Sequence, residues 1–87
     1  MTETQITTGS CRCGQLRLTV QGAPLMTFAC HCTGCQRMTA SAFSLSAMYP
    51  ETAVTIEGET ALGGMRGELL HHFCPSCLSW VFTTAPI

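Results

Sequence analysis

Apolar residues recur along this chain with a period of two rather than 3.6, in short runs. Gln15-Leu16-Arg17-Leu18-Thr19-Val20 alternates polar and apolar, which predicts a half-buried strand with Leu16, Leu18 and Val20 facing in. Gln21-Gly22-Ala23-Pro24 turns the chain, and the apolar run from Leu25 to Ala29 delivers the backbone to Cys30. Ala42 to Met48 alternates again and is stopped by Tyr49-Pro50. Further strands are expected from Ala53 to Gly58, with Val54 and Ile56 on one face, and from Trp80 to Thr84. Glu59 to Leu62 is placed to pair with a neighbour before Gly63-Gly64 breaks the chain. Only Gln36 to Thr39 suggests a helical turn. Met1 to Thr8 carries neither period. The expectation is a flexible tail over residues 1–8 and a single all-β domain of short antiparallel strands over 9–87.

A chain of 87 residues builds a core that alone leaves it marginally stable, and such a chain usually needs a staple. Seven cysteines can provide one, as disulfides or as metal ligands. Their odd count and their spacings favour metal: C-x-C at Cys11 and Cys13, C-x-C-x-x-C at Cys30, Cys32 and Cys35, and C-x-x-C at Cys74 and Cys77. The polar start, Met1-Thr2-Glu3-Thr4-Gln5, has no signal character, so a cytoplasmic protein with reduced thiols is expected. In Cys30-His31-Cys32-Thr33-Gly34-Cys35, an extended backbone puts Cys30 and Cys32 on one face. A tight turn at Thr33-Gly34, with the glycine at positive φ, then brings Cys35 round to them. Three sulfurs with a fourth position free are the ligand set of a reactive site, whereas four protein ligands make a closed structural one. Seven thiols divide as four plus three, although spacing does not say which pairs join. One division unites Cys11, Cys13, Cys74 and Cys77, tying the first strand to the last and closing the longest loop.

Charge narrows the choice of partners. Charged residues make up 10% of the chain, against about 25% in an ordinary domain, and Lys, Asp and Asn are absent. Arg12, Arg17, Arg37 and Arg66 are spread singly in a chain of net charge -1, which excludes the basic face of a nucleic-acid binder. No apolar run reaches the roughly 18 residues of a membrane span. A surface so poor in charge suits contact with another protein surface, and a homo-oligomer is expected.

Three motifs in order carry a resemblance. Gly9-Ser10-Cys11-Arg12-Cys13-Gly14 comes first. The Cys30, Cys32, Cys35 motif follows, with Arg37 after it and a small-residue segment ending at Phe43. Phe73-Cys74-Pro75-Ser76-Cys77 closes the series. Together they resemble the glutathione-dependent formaldehyde-activating enzyme family over about residues 9 to 83, using all seven cysteines. The resemblance implies a small β-tent domain with two zinc ions. Cys11, Cys13, Cys74 and Cys77 would hold a structural zinc, and Cys30, Cys32 and Cys35 a catalytic one. The implied reaction is of the carbon–sulfur lyase type, joining glutathione and formaldehyde as S-hydroxymethylglutathione or splitting that adduct. A soft zinc–thiolate centre suits it, because such a centre favours a further thiol and lowers its pKa. Arg37 is the candidate for a glutathione carboxylate, since Arg grips carboxylates bidentately; its other reading is a surface Arg shielding the zinc–thiolate charge.

The chain departs from the family pattern at Leu78 and at Ala40, where glycine is usual or common. Family members also continue past the final strand into a segment covering the catalytic side, whereas this sequence stops at Ile87. The substrate pocket is therefore expected to be open, completed by a second subunit, or absent. Alternation points His31 away from Cys30 and Cys32, so it is not expected as a ligand. His71 and His72 precede the last knuckle, and a hydrogen-bonded structural role is expected ahead of proton shuttling. Phe73, Trp80 and Phe82 read as core. Glu51, Glu57, Glu59 and Glu68 show no pairing that suggests an acid/base dyad. The alternative to an enzyme is a zinc-stabilised, non-catalytic interaction module of the same fold.

Overall fold

The structure, a computed structural model, describes residues 5–64 and 67–85. Arg66 and Ile87 lie outside them. The described elements, in chain order, are β1 (Ile6–Ser10), β2 (Arg17–Gln21), β3 (Met26–Cys30), α1 (Thr33–Thr39), β4 (Ser44–Met48), a 3-10 turn (Glu51–Ala53), β5 (Val54–Glu57), β6 (Ala61–Gly63), β7 (Leu70–Phe73) and β8 (Trp80–Thr84). Every pairing is antiparallel, in three small sheets ordered β1-β2-β5, β3-β4 and β6-β7-β8. The all-β class expected from the period-two pattern is the one observed. No helix among the described residues is long and apolar enough to cross a membrane.

The alternation in β2 does what it predicts. Leu18 lies between Gly9 of β1 and Ile56 of β5, Val20 is opposite Val54, and Leu16, just before the strand, is fully buried. Gly58 allows this closure: its φ is +112°, and a Cβ there would run into the Gln15 carbonyl and the Leu16 Cα. The core is small and built round sulfur. Cys11, Leu16 and Cys74 are buried together, with Ile56, Cys77, Val81 and Phe82 packed against them. Of the aromatics expected there, Phe82 joins this cluster, while Phe73 and Trp80 are half-buried in the same sheet.

Two expectations are corrected. Ile6 to Thr8 belong to β1 rather than to a tail, in register from Ile6 opposite Gln21 to Ser10 opposite Arg17. All five β1 residues are exposed, so the strand rests on backbone pairing and leaves no apolar period to read. The second correction concerns the central cysteines. The strand stops at Cys30, and Cys32 caps α1, its Sγ accepting the Cys35 N–H at 3.2 Å. Gly34 therefore lies inside a helix and not at the positive φ of a turn. A cysteine sulfur placed as a serine or aspartate oxygen would be at an N-cap satisfies an otherwise orphaned donor, and the helix starts there.

Ala40 at φ 52° and Leu78 at φ 62° are the two non-glycine residues at positive φ among the described residues. They are the same two positions at which the resemblance leads one to expect glycine. Ala40 ends α1, its N–H bonded to the Gln36 carbonyl. Leu78 closes the last knuckle, its N–H 2.8 Å from the Cys74 carbonyl. The left-handed region costs an L-residue about 1–2 kcal/mol. Because Leu78 is 71% exposed, its side chain contributes little in return. Leu78→Gly is expected to stabilise the metal-loaded protein by about 0.5–1 kcal/mol after the larger chain entropy of glycine is allowed for. Thermal unfolding should show a midpoint several degrees higher; an unchanged or lower midpoint would contradict the strain.

Candidate metal centre

Two knuckles build the first cluster. The Cys11 N–H donates to the Leu16 carbonyl at 2.9 Å and the Gly14 N–H to the Cys11 carbonyl at 3.1 Å, folding Cys11 and Cys13 back on themselves. Past β7, the Cys74 N–H donates to the Ser79 carbonyl at 2.9 Å, which curls Cys74 to Cys77 in the same way. The four sulfurs all lie within 4.8 Å of one another, with Cys11–Cys13 and Cys13–Cys74 each at 3.6 Å. Four sulfurs around one tetrahedral zinc are roughly 3.8 Å apart, from a Zn–S distance of about 2.3 Å. All seven cysteines are free of disulfides.

The surroundings favour thiolates. Backbone N–H groups of Ser76 and Cys77 reach Cys74 Sγ at 3.4 and 3.5 Å, and that of Leu16 reaches Cys11 Sγ at 3.4 Å. The Ser79 hydroxyl, 3.2 Å from Cys77 Sγ, and the Ser79 backbone hold the Cys77 thiol down to about 5. Burial pushes Cys74 up, but hydrogen bonds from the Cys77 backbone and the Gln15 side chain leave it lowered. Cys13 goes the other way: a Gln15 backbone hydrogen bond lowers it, but the crowding sulfurs of Cys11, Cys74 and Cys77 together with desolvation raise it to about 11. Four such thiols hold one negative charge readily and four only with a cation among them. The donor set and spacing fit a closed site for zinc.

Gln15 completes this cluster without being a ligand. Its Nε2 donates to Cys74 Sγ at 3.2 Å and to the Glu59 carbonyl at 2.8 Å, while its Oε1 accepts the Glu59 N–H at 3.1 Å. One amide thus joins the sulfur cluster to the turn between β5 and β6. Sequence reading gave no sign of it, because Glu59 is 44 residues away.

The second cluster combines a strand end with a helix start. Cys30 ends β3, Cys32 caps α1 and Cys35 lies in its first turn, and the three sulfurs fall within 4.8 Å of one another. Cys35 is buried, Cys30 half-buried and Cys32 exposed, so the group opens to solvent on the Cys32 side. Hydrogen bonds from the Cys35 backbone and side chain lower Cys32. Ser44, buried at the start of β4 opposite Cys30, lowers Cys35 through its hydroxyl, but desolvation and the Cys30 and Cys32 sulfurs outweigh it and raise that thiol. No His or carboxylate among the described residues joins the three sulfurs.

The remaining candidates are placed elsewhere. His31 is exposed, its ring 5.2 Å from that of Phe43. His71 is buried, its Nδ1 2.9 Å from the Thr83 hydroxyl, and His72 stacks on Phe82 with its Nε2 2.9 Å from the Thr84 hydroxyl. Desolvation, and then the His71 charge, lower His72. Both histidines are bonded across β7 and β8, as a structural role requires. Arg37 is exposed in the last turn of α1. Two residues past Cys35 on a helix, it does not share that cysteine's face.

Both features of the first cluster can be read in one titration. A metal entering it displaces the Cys13 proton at any pH below about 11, so affinity rises with pH and falls on acidification. Competition with a chromophoric chelator should show binding at least about tenfold tighter for each pH unit gained, from that one proton. Gln15→Ala should weaken binding about tenfold at every pH, the usual cost of losing a partner to a ligand atom. A pH-independent affinity, or a variant matching the parent, would contradict the arrangement.

No curated protein matches the chain. A family model does, the one described as glutathione-dependent formaldehyde-activating enzyme, over residues 6–86. That match spans nearly the whole sequence and takes in both cysteine clusters and all eight strands. The chain belongs to the glutathione-dependent formaldehyde-activating enzyme family.

Proposed function

We propose that this protein is a zinc-dependent carbon–sulfur lyase-type enzyme, joining or splitting formaldehyde and glutathione, or a related thiol, as the S-hydroxymethyl adduct. In this reading Cys11, Cys13, Cys74 and Cys77 hold a structural zinc, and Cys30, Cys32 and Cys35 an open one. The observation that carries it is the three-sulfur cluster, open on the Cys32 side and joined by no fourth donor among the described residues, in a chain of this family. A zinc ion held there would supply a Lewis-acidic position that takes a thiol as its thiolate at neutral pH. The reaction is redox-neutral: a sulfur–carbon bond forms, the carbonyl becomes a hydroxyl, and that oxygen takes up the proton the thiol loses.

The chain's own residues supply rigidity and access. Ser44 and the β3–β4 pairing fix Cys30 and Cys35, while exposed Cys32 leaves an approach for substrate. Arg37, exposed in the last turn of α1, is accessible to a substrate carboxylate, which it would grip bidentately, and its other role is to shield the zinc–thiolate charge. We place the protein in a reducing compartment such as the cytoplasm, where its seven thiols stay free to bind metal.

One observation favours a second reading, the non-catalytic interaction module. Two surface grooves, one on the β3–β4 ribbon and one beside β6 and β7, are not lined by the three cysteines. Exchange spectroscopy with carbon-13 formaldehyde and glutathione separates the readings. The metal-loaded protein is expected to accelerate adduct interconversion, and Cys32→Ser to abolish that while leaving the fold and the four-cysteine metal intact. No acceleration by fully loaded protein would give precedence to the interaction module.

A further inference from the structure

The open cluster is assembled from parts that do not hold one another. Cys32 and Cys35 come from the cap and first turn of α1, a helix of seven residues, and helices shorter than about 12 residues are marginal by themselves. Cys30 comes from the end of β3, where it lies opposite Ser44 of β4. Two stretches of chain link these parts: His31, between Cys30 and Cys32, and residues 40–43, between α1 and β4.

One side chain bonds to both stretches. Gln36 Nε2 donates to the His31 carbonyl at 3.2 Å and to the Ala42 carbonyl at 3.1 Å. An amide nitrogen carries two protons, and both are used here. Each partner is a carbonyl oxygen, so only a donor fits between them. Gln36 is exposed, and these two bonds are what its side chain contributes. Its backbone grips the second stretch too, the Gln36 carbonyl accepting the Ala40 and Ser41 N–H groups. Thr39 Oγ1 lies 2.9 Å from the Cys35 carbonyl and 3.4 Å from the Phe43 carbonyl, but its single proton serves one of them at a time.

The amide therefore reaches the sulfurs from two sides. The His31 carbonyl belongs to the peptide that joins His31 to Cys32. Ala42 stands two residues before Ser44, whose hydroxyl acts on the Cys35 thiol. The same grip leaves the His31 and Phe43 rings 5.2 Å apart beside the cluster. Gln36 is thus a counterpart to Gln15 at the closed cluster, except that Gln15 bonds a sulfur and Gln36 bonds the backbone that carries the sulfurs.

We propose that Gln36 is the positioning residue of the open cluster, holding Cys30, Cys32 and Cys35 together by bonding the His31 and Ala42 carbonyls at once. An ion entering the cluster then meets ligands already in place, and the cost of ordering them does not fall on its binding. The assignment rests on the reading that this cluster holds zinc and not on the reaction proposed for it.

A zinc titration against a chromophoric chelator, on the full chain already holding its first ion, tests it. Gln36→Met removes both donors while keeping length and helical preference. The second ion is expected to bind about tenfold more weakly than in the wild type, and the first to keep its affinity. In the one-zinc form Cys35, buried in the wild type, is expected to be alkylated several-fold faster in the variant. An unchanged second affinity would overturn the assignment, as would an equal loss at both clusters, which is what a weakened fold alone would give. A wild type that takes no second ion would refute zinc in the open cluster, and Cys35 alkylation would then decide: equal rates in the two proteins would overturn the role of Gln36 as well.

Discussion

Four sulfurs drawn together from the two ends of the described chain are the constraint on which the rest of this structure depends. Cys13 and Cys74 are 61 residues apart and their sulfurs 3.6 Å apart. The only large side chains wholly removed from solvent among the described residues are Leu16 and Cys74, so this cluster is the core and not an addition to it. A hydrophobic core of that size cannot hold a domain, whereas structural zinc contributes on the order of 10–16 kcal/mol. The thiols themselves argue for a cation. Cys77 loses its proton easily and Cys13 resists losing its own, and only a positive charge at the centre lets all four ionise together.

The two clusters use different local structure, and the difference sets their chemistry. The first is made of two backbone knuckles at strand ends, each presenting two sulfurs, with Gln15 and Ser79 holding the assembly from outside. It is closed by its own four donors, with Cys11 and Cys74 buried, Cys77 half-buried and Cys13 exposed. The second takes one sulfur from a strand, one from a helix cap and one from the helix's first turn, and it remains open on the cap's side. A helix cap is a rigid place to hold an exposed sulfur, because the Cys35 N–H fixes Cys32 without covering it. The fold thus separates a site that holds the chain from one that faces solvent.

Much of this was legible in the sequence, and the failures have identifiable causes. Trp80 to Thr84 reads as a strand from its run of aromatic and β-branched residues, while period-two alternation, which reports a half-buried face, marks Val54 and Ile56. β1 escaped because an edge strand with every residue exposed has no apolar period. The start of α1 escaped because Cys-x-x-Cys reads equally as a turn or as a capped helix, and the choice rests on one N–H···S bond. Which pairs of cysteines join could not be read from spacing at all, since the partners meet only through the whole topology. Conversely, Ala40 and Leu78, noted first as departures from a glycine pattern, proved to be the two non-glycine residues at positive φ. A residue type that looks wrong for a motif can mark the backbone conformation the motif requires.

The central claim is that metal in the four-cysteine cluster is what folds this chain, with a second ion in the open cluster. Native mass spectrometry of protein purified without chelator, combined with thiol alkylation, tests it most directly. The account predicts two zinc ions per chain, seven protected thiols, and loss of the fold when the last ion is removed. A metal-free chain that keeps its fold with its thiols open to alkylation would contradict it.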